Sequence, residues 1–488
     1  MTRLADFIKA YDVRGLVPEQ LSPEVVRTIG VAFAEVVAIP DGKDSVVIGH
    51  DMRRSSPDLS AAFAEGVTSR GVDAVRIGLC STDGLYHASG ALDVPGAMFT
   101  ASHNPAAYNG IKLCRSAARP VGQDSGLVEI RDLAQWLLDG GSGLPDPAGG
   151  AGRLKSRDTL GDYAGFLRRL VDLRTIRCLR VVVDAGNGMA GLTVPAVLGT
   201  AAGLPELPLT VIPLYFDLDG SFPNHEANPL EPANLVDLQV AVRKHDADLG
   251  LAFDGDADRC FVIDADGDPV SPSAITGLVA AREIARARAG GDQDVSVVHN
   301  VITSVALPEV IREHGATPVR TRVGHSYMKA EMARTGAVFG GEHSAHYYFR
   351  DFWFADTGML AALHVLAALG EQDRPLADLA REFERYVASG EINSSVQGIT
   401  EAVGAVRGWA QHRGAAIDEL DGLTVSHPDG TSPMWWFNVR ASNTEPLLRL
   451  NVEAADRETM EALRDEILGL IRATPPRTDT YAAHPGEQ

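Results

Sequence analysis

Three aspartates stand at alternate positions in DGDADR (254–259), directly after the strand-like run DLGLAF (248–253). Only Gly255 and Ala257 separate them, so a tight loop could turn the carboxylates of Asp254, Asp256 and Asp258 toward one cation. Hard oxygen ligands of this kind favour Mg²⁺ or Ca²⁺. An EF-hand loop would place Gly sixth and Glu twelfth, where this chain has Arg259 and Ala265. The plainer alternative is a solvated acidic turn. DADGD (264–268), a hairpin loop with Asp-Gly, reads that way. Arg259, directly after the third aspartate, suits a phosphate held beside a metal.

TASHNP (100–105) sets Ser102 beside His103 after the apolar approach PGAMF. Asn-Pro favours an extended or turn conformation, and serine often hydrogen-bonds locally, so a plain turn accounts for the segment. A hydrolase nucleophile would sit in a GxSxG elbow, which this segment lacks. It would also need a base from elsewhere, because neighbours on an extended strand point opposite ways. A phosphate carrier fits Ser102 better, since phosphoryl transfer demands positioning and charge neutralisation more than a strong nucleophile.

GEHSAH (341–346) puts Glu342, Ser344 and His346 at alternate positions. In an extended loop these would project to one side and offer an acceptor, a hydroxyl and an imidazole to a polyol; otherwise the segment is a polar connection. RASNTEP (440–446) follows the strand-like MWWFNV and gathers Arg440, Ser442, Asn443 and Thr444, which could grip a phosphate or cap a turn. Arg14 in YDVRG, Lys112 in NGIKL, and His325 and Lys329 in GHSYMK read singly as surface charges.

These residues need a scaffold, and one local pattern recurs three times. SVVIGHD (45–51), RVVVDAG (180–186) and SVVHNVI (296–302) are each followed by a helical stretch and a second strand-like run. Strand, helix and strand at this scale indicate α/β units, and three copies predict three related α/β domains. Breaks fall at DGGSGLPDPAGGAG (139–152), near 264–270 and at GEQDRP (370–375). Beyond the last, a helical stretch to about Ser389, two strand-like runs and a helix near 456–472 read as a small α+β domain, with a disordered tail from Thr474. The chain of 488 residues carries 44 basic against 65 acidic side chains, a net −21, which argues against a nucleic-acid or anionic-membrane partner. Cysteines 80, 114, 178 and 260 form no CxxC pair and read as reduced core thiols, and no apolar h-region opens the sequence. The expectation is a soluble cytoplasmic protein.

Taken together and in order, YDVRG, TASHNP with NGIKL, DGDADR, GEHSAH and RASNTEP resemble the α-D-phosphohexomutases, specifically their phosphomannomutase/phosphoglucomutase branch. The resemblance runs to about residue 472 and includes FPNHEANPLEPANL (222–235) and YYFRDFWFADTGML (347–360). A phosphoglucosamine mutase would be expected to have Gln where His343 stands. The resemblance implies an α/β fold of four domains around a central cleft: 1–153, 154–264 and 265–373 as similar α/β domains with mixed sheets, and 374–488 as an α+β domain related to the TATA-binding-protein fold. It implies that Ser102 is carried as phosphoserine and, with Asp254, Asp256 and Asp258, holds Mg²⁺. Glu342 and Ser344 would then hold sugar hydroxyls, while Arg440, Ser442, Asn443 and Thr444 grip the phosphate that is not reacting. Arg14, His103, Lys112, Arg259, His325 and His346 would line the reacting end, with Arg14 stabilising charge and Lys112 or His346 moving the proton.

The activity so implied is interconversion of mannose 6-phosphate and mannose 1-phosphate through a hexose 1,6-bisphosphate, by a monomer or homodimer. Phosphoglucomutase is the alternative main activity. A metal-dependent sugar phosphatase would use the same aspartate loop but release inorganic phosphate, and a sugar-phosphate sensor would not need Ser102. The chain departs from the family pattern at Asp83-Gly84, where Thr-Pro and an apolar residue are usual, at Ala345 in place of Gly, and at Ile302 near a sugar-contacting Lys of some members. These positions bear on ring contacts and substrate preference.

Overall fold

The structure is a computed structural model that describes residues 3–9, 11–147, 149–396, 398–427, 434–441 and 447–473. Ser442, Asn443 and Thr444 of RASNTEP, and the chain from 474 where a disordered tail is expected, lie outside the described residues. The chain divides into two compact units: Met1–His299, Leu307–Val319 and Gly324–Phe383 make the larger, and Asn300–Ala306, Arg320–Val323 and Glu384–Gln488 the smaller.

Three mixed sheets carry the three α/β repeats, and the fourth sheet is antiparallel throughout. In the first, the strands run in the order Val13–Leu16, Tyr108–Arg115, Gly96–Phe99, Ser45–His50, Asp73–Leu79, Leu154–Ser156. Its inner strands are parallel, and Tyr108–Arg115 runs antiparallel to both of its neighbours. The second orders Pro269–Val270, Cys260–Ile263, Leu249–Phe253, Leu179–Asp184, Leu209–Leu214. The third orders Thr317–Thr321, Ser296–Asn300, Phe339–Gly341, Tyr347–Phe349, Ala355–Asp356. The apolar runs VVI, VVVD and LGLAF are buried along their length, as parallel strands covered by helices on both faces must be. In the smaller unit, Val387–Ser395, Leu447–Ala454, Trp435–Ala441, Leu423–Ser426 and Ala416–Asp418 pair antiparallel in that order, backed by Ile399–His412 and Arg457–Arg472.

The sheets run past the expected domain breaks. Leu154–Ser156 pairs with Ala74–Arg76 of the first sheet, so that sheet continues beyond 153. Pro269–Val270 pairs with Val262 and Ile263, carrying the second sheet beyond 264. Leu376 and Ala380 are buried in the core of the larger unit, which therefore extends to Phe383, and a strand stands at Val387–Ser395 where the sequence suggests the end of a helix. In each case, pairing or burial outweighs the Gly, Pro and Asp signals of the loop before it. Cys80, Cys114 and Cys260 are core thiols, but Cys178 is exposed. Among the described residues no helix is long and apolar enough to cross a membrane.

Helix Pro23–Phe33 starts at the Ser22 cap, whose Oγ accepts from Val25 N, with Pro at the first turn. It crosses Ser56–Thr68 at backbone contact. A Cβ on Gly30 would lie 2.4 Å from Phe63 O, and one on Gly66 would lie 2.1 Å from Arg27 O. Gly66→Val must push these helices apart; overpacking of this kind costs about 1–3 kcal/mol. A lower melting temperature in scanning calorimetry is the expected result.

Candidate active site

The chemical motifs sit where strands of the sheets end. TASHNP begins directly after Gly96–Phe99, DGDADR after Leu249–Phe253 and GEHSAH at the end of Phe339–Gly341. Loops at the carboxyl ends of parallel strands are where α/β folds place their ligands. A backbone bridge joins Arg259 to His346, so the second and third loops are stitched together.

Ser102 has φ +50°, the left-handed region that a non-glycine residue occupies at a cost. Its amide donates to Thr100 Oγ1 at 2.9 Å. Its hydroxyl donates to Asp254 Oδ2 at 2.6 Å, across 152 positions of sequence. The same backbone twist corrects one expectation. The side chains of Ser102 and His103 do not diverge, and Ser102 Oγ lies 3.2 Å from His103 Nδ1. That nitrogen is 2.5 Å from Arg259 Nη2 and accepts from it. Burial first, then the charges of Arg259 and Arg14, push the His103 imidazole well below its ordinary pKa. His103 is therefore a neutral acceptor that orients Arg259, and brings no positive charge of its own.

The three aspartates are fully buried, and their carboxylate oxygens come within 4.8 Å of one another. Lys112 Nζ donates to Asp256 Oδ2 at 2.7 Å and to Asp258 Oδ2 at 2.5 Å. Arg259 reaches Asp254 Oδ2 at 3.0 Å. Burial raises the Asp254 carboxyl; Arg259 opposes the rise, and Asp258 and Asp256 add to it. Burial would raise Asp256 and Asp258 too, but Lys112 holds both below the usual carboxylate range. Asp256 Oδ1 and Asp258 Oδ1 are buried and, among the described residues, accept no hydrogen bond. Three converging carboxylates with two such oxygens, beside a serine hydroxyl, fit a hard divalent cation.

GEHSAH is a tight hairpin turn, not the extended loop that its alternation suggests. Glu342 N bonds to His346 O, Ala345 N bonds to Glu342 O, and Ala345 has φ +63°. That backbone angle is the physical reason a Gly would be at home there. Glu342 is buried and accepts from Gly324 N at 3.1 Å and Tyr348 Oη at 2.6 Å. Ser344 Oγ lies 2.9 Å from His346 Nδ1, and His346 Nε2 is 3.7 Å from Asp258 Oδ1. His325 packs edge-on against Tyr11, and burial, with Lys329 adding to it, pushes its pKa down to about 4. Arg14 donates to Asn104 Oδ1 at 2.6 Å and Asp12 Oδ2 at 2.7 Å. In the smaller unit, the Arg440 side chain is buried 3.4 Å from Glu391.

The sequence comparisons match four profiles across this chain. They are phosphoglucomutase/phosphomannomutase alpha/beta/alpha domain I at 6–135, domain II at 162–267, domain III at 272–386, and the C-terminal domain at 387–470. The chain belongs to the phosphoglucomutase/phosphomannomutase family. It is similar to a phosphomannomutase of Escherichia coli, 38% identical over 97% of this chain and 100% of that one. It is similar to the phosphohexose mutases of Xanthomonas campestris pathovar campestris, also 38% identical, over 95% of this chain and 98% of the relative. A crystal structure of a phosphoglucomutase/phosphomannomutase family protein from Burkholderia thailandensis superposes with TM-score 0.83 at 30% identity, covering 97% of this chain and 99% of that one. The protein is thus a phosphohexomutase, an isomerase that moves a phosphoryl group on hexose phosphates.

Family motifs alone miss several residues that build this site. Arg53 is buried and donates to the carbonyls of Ser102 (2.9 Å), Asn104 (2.6 Å), Pro105 (2.9 Å) and Tyr108 (3.0 Å), while pairing with Asp51 at 3.2 Å. Its sequence signal was its place just past the apolar strand Ser45–His50, where ligands and their supports gather. Lys329 and Lys112, surface charges on a single-residue reading, are both largely buried. Lys329 Nζ lies 2.6 Å from Asp356 and 4.0 Å from the Tyr86 ring centroid. Asp83, a departure from the family pattern, is fully buried at the start of helix Thr82–Leu92 and accepts from the hydroxyls of Ser81, Tyr163 and Thr357. The sequence marks it only as a departure from the family pattern, and gives no sign of these partners.

Two outcomes follow from these buried charges. Arg53→Met strips four donors from the Ser102 loop and leaves Asp51 buried without its cation, a loss of about 3–5 kcal/mol. Hydrogen exchange should show faster amides over 102–108. Burial pushes Asp83 up to about 6 against the three hydroxyl donors. Because its folded pKa exceeds the unfolded value, the cost of ionising it is absent below the unfolded pKa and fully present above the folded one. The melting temperature of wild type relative to Asp83→Asn should therefore fall between pH 4 and pH 7, a shift worth about 3 kcal/mol.

Proposed function

We propose that the protein is a phosphomannomutase, interconverting mannose 6-phosphate and mannose 1-phosphate through a phosphoserine at Ser102. The observation that carries this reading is the placement of the Ser102 hydroxyl 2.6 Å from Asp254 within a buried group of three aspartates. The preference for mannose is supported by relatives named phosphomannomutase in Escherichia coli, at 38% identity, and Vibrio cholerae, at 34%.

Phosphoserine 102 gives its phosphoryl group to the free hydroxyl of the hexose monophosphate, breaking the Ser102 Oγ–P bond and forming a 1,6-bisphosphate. The bisphosphate turns over and returns its other phosphoryl group to Ser102 Oγ. Mg²⁺ held by Asp254, Asp256, Asp258 and a phosphoserine oxygen would neutralise charge on the phosphoryl group. Arg259, oriented by His103, and Arg14 face the same oxygens. Burial alone would lower the Lys112 pKa, but Asp256 and Asp258 raise it well above normal, so Lys112 supplies charge. Proton transfer at the sugar hydroxyl falls to His346, which Ser344 orients. Glu342, Ser344 and His325 receive the sugar, and the donors of RASNTEP suit a phosphate dianion.

Mannose 1-phosphate and glucose 1-phosphate should be assayed side by side, with Mg²⁺ and a hexose 1,6-bisphosphate activator. The expectation is turnover of both, with mannose preferred and little free phosphate released; release of phosphate in place of isomer would favour the phosphatase reading. Ser102→Ala should lose on the order of 10³-fold or more in kcat. In intact-mass spectra, wild type should carry a species heavier by about 80 Da that the variant lacks.

A further inference from the structure

The middle of the aspartate loop and its far end are held by elements that meet at one buried carboxylate. Thr82 grips Asp256 twice: its amide donates to Asp256 O at 3.0 Å and its hydroxyl to Asp256 Oδ2 at 2.5 Å. At the end of the loop, Gly358 packs so closely on Arg259 that a Cβ there would lie 2.6 Å from Arg259 C. Asp83 follows Thr82 directly, and Thr357 precedes Gly358. Thr357 Oγ1 donates to Asp83 Oδ2 at 2.6 Å and also caps helix Gly358–Gly370. Tyr163 Oη, from helix Leu160–Leu170, donates to the same oxygen at 2.7 Å, and Ser81 Oγ donates to the other.

We propose that Asp83 is a positioning residue for the metal loop, fixing through Thr82 and Thr357 where Asp256 and Arg259 stand. The proposal rests on reading Asp254, Asp256 and Asp258 as the metal ligands. Three hydroxyl donors converge on Asp83, and a carboxylate can accept from all of them. An amide turns one NH₂ toward a hydroxyl and cannot. Losing a bond there frees the first turn of Thr82–Leu92, and with it the Thr82 hydroxyl that orients the Asp256 carboxylate. Partners that orient a metal ligand typically contribute tenfold or more to metal affinity without touching the metal.

The test is Mg²⁺ binding to the full-length protein by isothermal titration calorimetry, with kcat and KM measured in parallel. Asp83→Asn should weaken Mg²⁺ binding about tenfold, and Tyr163→Phe should show a smaller loss in the same direction. In Asp83→Asn, excess Mg²⁺ should restore kcat, and KM for the hexose phosphate should stay within about twofold of wild type. Asp256→Asn is the reference. If it binds Mg²⁺ like wild type, the metal-loop reading falls and the proposal with it. If Asp256→Asn loses Mg²⁺ while a folded Asp83→Asn keeps wild-type affinity, the proposal alone is overturned. Should Asp83→Asn not fold, Tyr163→Phe decides, and unchanged Mg²⁺ affinity in that variant overturns the proposal.

Discussion

The constraint on which this structure depends is the gathering of buried negative charge. Asp254, Asp256 and Asp258 lie side by side and out of water, an arrangement that would be prohibitive without cations and donors in contact. The chain answers with Lys112, Arg259, Thr82 and Ser102, drawn from four separate elements. Folding of the first and second sheets is thereby coupled, since neither the carboxylates nor Lys112 could be buried alone. The same arrangement fits the proposed role: a cluster that must attract positive charge could hold a hard cation.

Around this cluster the backbone is as specific as the side chains. Ser102 is in a left-handed conformation, and Arg53 holds the Ser102 carbonyl and that of Asn104 just after it. A Cβ on Gly255 would come within 2.4 Å of Ser102 O, so only glycine lets the two loops close to hydrogen-bonding range. In the proposed role, a strained serine held in this way spends little reorganisation when its oxygen reacts.

Much of this was legible in the sequence. Continuous apolar runs announced the buried strands, and the three repeats of strand, helix and strand correspond to the three mixed sheets. The residues of DGDADR, TASHNP, NGIKL and GEHSAH meet as a set. What was hidden depends on long-range partners. Lys112 and Lys329 look like surface charges until their aspartates are known, and Asp83 looks like an ordinary first-turn residue until Tyr163 and Thr357 arrive from distant segments. The divergence expected of Ser102 and His103 failed because it assumed extended backbone, which a positive φ overrides. The domain breaks were set too early because Leu154–Ser156 and Pro269–Val270 are short edge strands, which owe their place to pairing more than to any local preference.

The apolar interior adds a consequence for cooperativity. One continuous core joins the second and the third sheet and takes in Tyr86, Cys114 and Ala118 from the first domain, whereas most of the first sheet and the smaller unit pack around cores of their own. The three repeats of sequence pattern are therefore not three separate thermodynamic blocks, because the second and third share one interior. A lesion in the packing beneath the aspartate loop is felt at once beneath the hairpin 341–346, so those two parts of the candidate site are lost or kept together.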